Sequence, residues 1–77
     1  MHTNQASVMV DLRQALSWKR IDELESEIGG MDGVTRARVS ARASRLVLVD
    51  YDPRTISSQK ILGAVVRRGF DARLIGM

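Results

Sequence analysis

The side chains that most often carry out catalysis or bind metals are scarce in this chain of 77 residues. Cysteine is absent, and the single histidine, His2, stands beside the N-terminus. A nucleophile needs a neighbouring base, and one histidine near the terminus cannot complete a catalytic triad. The glycine-rich stretch at 29–33 follows a predicted helix and lacks the lysine of a phosphate-binding loop. We therefore predict a protein that is not an enzyme and that has no cofactor.

The acidic and methionine side chains do not form a metal site either. The acidic residues cluster with basic neighbours, as on the solvated face of a helix; they are Asp22, Glu23, Glu25 and Glu27. The four methionines are scattered, and His2 with the terminal amine offers only an incidental site for a metal ion. We expect no physiological metal site built from protein ligands alone.

Composition and charge indicate one small domain with an aliphatic core. Hydrophobic residues make up 44% of the chain, and only three residues are aromatic. No disulfide or zinc–cysteine cluster can add stability. The net charge of +3 is small, and it favours a solvated surface over binding to nucleic acid or anionic membranes. The stretch "LVLV" at 46–49 is too short to cross a bilayer, and the start of the chain does not resemble a signal peptide, so we expect a cytoplasmic protein without membrane insertion.

Hydrophobic periodicity predicts six elements that would position any site. Alternation with a period of two indicates strands, and apolar gaps of three and four indicate helices. After a flexible tail at 1–5, a single domain at 6–77 contains strands at 6–12, 34–41, 45–51 and 71–75, a helix at 17–28, and a helix that Ser57 begins and Gly69 ends.

Each predicted helix starts with a serine that can accept a hydrogen bond from the free N–H groups of the first turn. Leu16 and Ile21 flank Ser17 at the positions of a hydrophobic staple, and Ile56 and Ile61 do the same around the second cap. We expect Gly29 or Gly30 to end the first helix in the left-handed conformation. The buried stripe of the second helix is predicted to contain Ile61, Leu62, Val65 and Val66.

This order of elements predicts the α+β, ferredoxin-like βαββαβ fold. Its four-stranded antiparallel sheet would have the order 4-1-3-2, with both helices on one face and the other face open. The alternation predicts that the residues on the open face are Met9, Arg36, Arg38, Leu46, Leu48, Arg73 and Ile75. RNA-binding domains of this topology stack bases on aromatic residues at such a face. The aliphatic Leu46 and Leu48, rimmed by arginine, favour pairing with a protein or a second copy, and we predict no binding to nucleic acid.

In its spacings the chain resembles the heavy-metal-associated domain over almost its whole length. The helix pattern of that family is matched without a gap, and the matching residues are Ile21, Leu24, Glu25, Ile28, Met31, Gly33 and Val34. The stretches "VDYDP" at 49–53 and "GFDARL" at 69–74 match the end of the third strand and the last turn and strand. The resemblance implies the ferredoxin-like fold and a setting in metal transport or homeostasis.

The resemblance also locates the missing metal ligands. The two cysteines of the family's loop would fall on Ser17 and Arg20, after a lead-in at 14–16. A serine hydroxyl is neutral at physiological pH, and arginine has a positive charge and no lone pair to donate. At about 4 Å a guanidinium repels a monovalent cation by roughly 1 kcal/mol in water and about 4 kcal/mol at a partly buried site. The metal site of the family is therefore predicted to be degenerate.

Two interpretations of function follow. The resemblance implies a module that docks to a protein, such as a metal-transporting ATPase or a related domain, through Trp18, Lys19 and Arg20 at the degenerate loop, unless Trp18 folds back over the helix end. The open face adds Arg36, Arg38, Leu46, Leu48 and Arg73 as candidate contact residues. The alternative is a self-associating or ligand-sensing regulatory domain of the same topology with no connection to metals.

Overall fold

The elements occur in the predicted order in a computed structural model, which describes residues 5–40, 42–43 and 45–75. They are β1 (Ala6–Leu12), α1 (Trp18–Gly29), β2 (Val34–Val39), β3 (Leu46–Tyr51), α2 (Ser58–Arg67) and β4 (Ala72–Ile75). Most of the predicted tail, residues 1–4, lies outside the described residues, so its flexibility and the domain boundary stay predictions. In the described part of the chain, both helices are too short or too polar to span a lipid bilayer.

The strands form one antiparallel sheet in the order β2-β3-β1-β4, which is the predicted order read from the opposite edge. In the centre of the sheet Val8 lies opposite Val49, and Val10 lies opposite Leu74 on the β4 side. The pairing of β2 with β3 contains a register shift between Val34 and Arg36. This arrangement confirms the ferredoxin-like fold predicted from the sequence.

The hydrophobic core lies between the helices and one face of the sheet. Every second residue of β1 and β3 points into it, and each helix contributes residues one turn apart. The least exposed of these side chains are Val10, Leu12, Leu24, Ile28, Val47, Val49, Ile61 and Val65. Full burial of an aliphatic side chain of this size contributes about 1.5–3 kcal/mol. The core is therefore aliphatic, as the composition indicates.

Two predictions about the helices were wrong. Val66 has 49% of its surface exposed, because Ile61 and Val65 share the buried face and the next residue turns about 100° away from it. Gly29 is the last residue of α1, and Gly30 follows it with a φ of −86°, so neither is in the left-handed conformation. The chain reverses later, at Gly33, where φ is +93°.

Other predicted boundaries move by a residue or two. Gly69 has a φ of +95° and follows α2, as predicted. β2 ends at Val39, two residues before the predicted end at Ala41, which lies outside the described residues. Ser40 still donates its N–H to the carbonyl oxygen of Leu46 at 2.8 Å, so the hairpin continues beyond the regular strand.

Candidate functional site

The loop at residues 13–17 connects β1 to α1 and contains the first of the two positions at which the resemblance places metal ligands. Ser17 has the extended backbone of an N-cap, with φ −68° and ψ 158°. Its hydroxyl oxygen accepts from the backbone N–H of Arg20 at 3.4 Å, and its carbonyl accepts from Ile21 at 2.9 Å. The Ser17 side chain therefore holds the start of the helix, as predicted from its residue type.

Arg20, at the second ligand position, reaches from α1 to the loop that precedes β4. Its guanidinium carbon lies 4.7 Å from the centroid of the Phe70 ring, a cation–π distance. Its Nε lies 3.7 Å from Oε1 of Glu23 on the same helix. An exposed cation–π contact contributes about 0.5–1 kcal/mol. The sequence did not predict this contact, because it joins residues that are far apart in the chain.

A groove of about 460 Å³ opens between residues 13–17 and the 69–71 turn. We call it the loop groove; it is lined by Leu12, Arg13, Gln14, Ala15, Leu16, Ser17, Arg20, Gly69, Phe70 and Asp71. Arg13 closes one end, because its N–H donates to the Asp71 carbonyl at 2.8 Å and its Nη1 lies 3.2 Å from the Asp71 carboxylate. The groove thus offers guanidinium and amide donors together with one carboxylate.

This donor set does not fit a copper(I) or zinc ion. Both ions in such a loop need thiolate or imidazole ligands, and the sequence contains no cysteine. Among the described residues, no group of three or more His, Cys, Asp or Glu side chains could hold a metal ion. The Arg20 guanidinium also adds a positive charge to the lining of the loop groove.

The first turn of α1 is open to solvent. Trp18 has 80% of its surface exposed, so the interpretation in which it folds back over the helix end was wrong. It is the first residue of α1, whose buried residues are Leu24 and Ile28. Lys19 and Arg20 are also exposed. We call Trp18, Lys19 and Arg20 the helix-tip surface; it borders the loop groove.

The second predicted surface is the sheet face that lies opposite the helices. The strand register aligns Arg38, Leu48, Met9 and Ile75 in one row across all four strands. A neighbouring row contains Leu46, Asp11 and Arg73, and the row on the other side contains Arg36, Asp50 and Ser7. The predicted outward direction of these residues is confirmed, since residues that lie opposite each other on paired strands share a face. Their role in binding a partner stays a prediction.

Burial on this face differs between the arginines and the aliphatic residues. Arg36, Arg38 and Arg73 are exposed, whereas Leu46 and Leu48 are half-buried among their neighbours. No element of the described part of the chain covers the face. The leucines are therefore accessible, although less so than isolated side chains on a surface would be.

Asp11 is the residue of this face that sequence reasoning missed. Only 9% of its surface is exposed, and its carboxylate lies 3.2 Å from Nε of Arg73 and 3.6 Å from Nε of Arg45. Its Oδ1 is buried and accepts no hydrogen bond from the described residues. An acidic residue at an outward position of a strand is a weak signal, and only the strand register brings it to these arginines.

The acidic residues of α1 also differ from the prediction of a solvated face. Glu25 accepts from the backbone N–H of Val39 at 2.8 Å, which occupies a donor of the edge strand β2. Glu27 forms an ion pair with Arg68 after α2. These two carboxylates therefore connect the helix to the rest of the domain, and the sequence pattern alone does not distinguish such contacts from solvation.

Several solved structures share the fold of this chain. No family model matches the sequence, and no curated relative matches it. Oxidized MerP from Ralstonia metallidurans CH34 superposes with a TM-score of 0.81 at 18% identity, covering 94% of this chain and 99% of that one. A copper binding domain from HMA7, a P-type ATPase, superposes with a TM-score of 0.80 at 18% identity, covering 91% and 93%. The fold is that of the heavy-metal-associated domain.

A third solved structure of this fold, the CopZ metallochaperone, superposes with a TM-score of 0.78 at 22% identity. The comparison covers 88% of this chain and all of that one. Identities this low show a common fold, and the predicted resemblance to the heavy-metal-associated domain is confirmed at that level. At the two positions where the resemblance places metal ligands this chain has Ser17 and Arg20, and its sequence contains no cysteine.

Proposed function

We propose that this chain is a non-enzymatic module of the heavy-metal-associated type that acts in metal transport or homeostasis in the cytoplasm. It docks to a protein partner and does not carry an ion itself. The fold likeness to a metallochaperone and to a domain of a P-type ATPase supports the setting. Two contacts carry the proposal of docking without metal: the Ser17 hydroxyl caps α1, and the Arg20 guanidinium lies over Phe70.

The helix-tip surface supports docking because it combines residue types that anchor protein interfaces. Tryptophan and arginine are enriched among the residues that contribute most to binding energy. Trp18 is exposed beside Lys19 and Arg20, and the loop groove lies next to them. A partner with an apolar side chain for Trp18 and carboxylates for the two basic residues fits this surface. A metal-transporting ATPase or a related domain is the class of partner that the fold suggests.

The metal part of the proposal is tested by titration of copper(I) and zinc against a competing chelator. We expect no stoichiometric site, because the residues at the two ligand positions provide no soft donor. A variant without residues 1–5 controls for binding by His2 and the terminal amine. A site of submicromolar affinity that survives this truncation would contradict the proposal.

Restoring the ligands gives a sharper test. The double change Ser17→Cys and Arg20→Cys should create one soft-metal site per chain, because it places two thiolates at the cap and first turn of α1. The matched control is Ser57→Cys with Lys60→Cys, which has the same spacing at the start of α2. We expect the first pair to bind more tightly than the second. If the folded first variant gains no affinity, the loop is not equivalent to the metal loop of the fold.

Docking can be followed directly, because Trp18 is the one tryptophan of the chain. Titration with a metal-binding domain of a metal-transporting ATPase should shift its fluorescence to shorter wavelength as the ring leaves water. The change Lys19→Glu with Arg20→Glu should weaken the interaction, and Lys60→Glu with Arg67→Glu on α2 provides the matched charge control. An unchanged emission at saturating partner would contradict docking through the helix tip.

A further inference from the structure

We infer that the open sheet face is a second docking surface, distinct from the helix-tip surface, and that its partner is an acidic protein surface with an aliphatic centre. The open face contains Ser7, Met9, Asp11, Arg36, Arg38, Leu46, Leu48, Asp50, Arg73 and Ile75, with Arg45 at its end. The inference does not depend on any role in metal homeostasis.

The apolar side chains of the open face lie next to one another, with charged groups around them. Leu48, Met9 and Ile75 follow one another in the middle row, and Leu46 stands beside this row on β3. Arg38 continues the row at the β2 edge. Stable protein interfaces have an apolar centre and a polar rim, and they are enriched in methionine and arginine. The open face has this composition.

The open face has a positive charge that is not neutralised within the face. Four arginines and two aspartates leave a formal charge of +2 on the face; the arginines are Arg36, Arg38, Arg45 and Arg73. Both aspartates already have partners within the face, since Asp50 accepts from the Ser7 hydroxyl at 2.6 Å and Asp11 faces Arg45 and Arg73. Within the described part of the chain, Arg36 and Arg38 make no ion pair. Their guanidinium groups are free to pair with carboxylates of a partner.

The charge and the side chains of the open face favour one kind of partner. A second copy that packed face to face would oppose two surfaces with the same positive surplus, and like charges repel most strongly where water is excluded. Bases of a nucleic acid would find no aromatic side chain here to stack on. Pairing at the β2 edge is hindered, because Glu25 occupies the N–H of Val39. An acidic surface with aliphatic residues at its centre would bury the leucines and would pair its carboxylates with the free arginines.

The experiment uses the full chain and a synthetic helical peptide with leucines along one face and glutamates on both flanks. We expect the peptide to shift the amide resonances of open-face residues in NMR spectra. Arg36→Glu with Arg38→Glu should weaken binding about tenfold, and the matched control Lys60→Glu with Arg67→Glu on α2 should change it by less than about twofold. Melting curves establish that each variant is folded. If the first variant unfolds, Arg36→Gln with Arg38→Gln replaces it, with an expected loss of about threefold.

Four results would overturn the inference. Equal binding of a peptide with lysines in place of glutamates would remove the requirement for acidic groups. If the open-face variant and the α2 control variant lost the same peptide affinity, the attraction would depend on net charge and not on this face. Shifts confined to the helix tip would support the proposed docking site and exclude this one. A dimer of the chain that dissociates on Leu46→Ser with Leu48→Ser would make a second copy the occupant.

Discussion

Two loops of this domain each lead from a strand into a helix, but different contacts stabilise them. The first entry loop, residues 13–17, leads from β1 to α1, and the second, residues 52–57, leads from β3 to α2. Both end in a serine cap: Ser17 accepts from Arg20 N–H at 3.4 Å and Ser57 from Lys60 N–H at 3.2 Å. The hydrogen bonds before the cap differ between them.

The second entry loop is held by its own hydrogen bonds. The carbonyl oxygen of Asp52 accepts from Thr55 at 2.9 Å and from Ile56 at 3.0 Å, and its carboxylate accepts from the N–H of Arg54 at 3.0 Å. Ile56 is only 7% exposed and belongs to the core. Gly33 binds the loop from the other side, because its carbonyl accepts from Asp52 N–H at 2.7 Å. This loop is part of the rigid framework.

The first entry loop makes hydrogen bonds to described residues only at its ends, and Leu16 within it packs against the core. Arg13 is bound to Asp71 and Ser17 caps the helix, but the backbone of residues 14–16 makes no hydrogen bond to another described residue. The loop groove lies beneath it. Functional residues concentrate on loops that a rigid scaffold positions and that have few internal contacts. The contrast is therefore consistent with the proposed docking role of the first loop and with a structural role of the second.

The largest expected effect comes from a change that breaks the second loop. Gly33→Ala would place a Cβ atom 2.8 Å from Ile56 Cγ2 and 2.9 Å from Thr55, at a φ of +93° that side chains rarely adopt. Left-handed strain and overpacking together should cost about 2–4 kcal/mol of unfolding free energy. Denaturant unfolding measures this loss.

The control for that change is Gly63→Ala in α2, where a Cβ atom would meet nothing within 4 Å. It should raise the unfolding free energy by about 0.5–1 kcal/mol, because alanine favours the helix. If Gly33→Ala were as stable as the wild type, the second loop would be adaptable, and the contrast between the two loops would fail.

The two caps offer a comparison of intermediate size. Ser57→Ala should lower the global unfolding free energy by about 1 kcal/mol, because its loop is continuous with the core. Ser17→Ala should lower the global unfolding free energy by a smaller amount. Its main effect should be faster hydrogen exchange in the first turn of α1, because the loop that precedes α1 can open locally. Equal global losses, with no local change in exchange around Trp18, would show that the two loops are held equally well.

The framework could be predicted from the sequence better than the site. Alternation fixed which residues of each strand face the core, and both serine caps were found from residue type. The glycine that reverses the chain was misplaced, because Gly29, Gly30 and Gly33 are equivalent until the end of α1 is known. The alignment of Ser17 and Arg20 with the family's cysteines could be inferred because it depends only on residue spacing within one helix, which is local sequence information.

Contacts between distant residues could not be predicted. Asp11 and Arg73 are separated by 62 positions, and only the register of β1 with β4 brings them together. Arg20 meets Phe70 because the 69–71 turn lies beside the start of α1, which no pattern in either segment encodes. Side-chain pairs across the sheet and between loops depend on the assembled fold, and these pairs define both proposed surfaces.

The smallest predicted effect concerns pH and the second loop. The backbone N–H of Arg54, followed by the nearby Arg54 guanidinium and the Thr55 hydroxyl, holds the pKa of Asp52 below its ordinary value of 3.8, against a smaller opposing effect of desolvation. A carboxyl group whose pKa is lower in the folded state stabilises the protein above its ordinary pKa, and this stabilisation is lost as the pH falls through the folded value. The melting temperature of the wild type should therefore fall as the pH is lowered below about 4. The melting temperature of Asp52→Asn should fall less steeply over the same range.

A second variant identifies which bond is responsible. Thr55→Val removes only the hydroxyl that lies 3.4 Å from Oδ2 of Asp52, so it should keep most of the wild-type pH dependence, because the N–H of Arg54 still donates to Oδ1. Melting curves of the wild type, Asp52→Asn and Thr55→Val between pH 6 and pH 2 make the comparison. Parallel curves for all three would mean that the Asp52 carboxylate does not hold the second loop. Its rigidity would then come from the Asp52 carbonyl and Ile56 alone, which the Gly33→Ala variant tests separately.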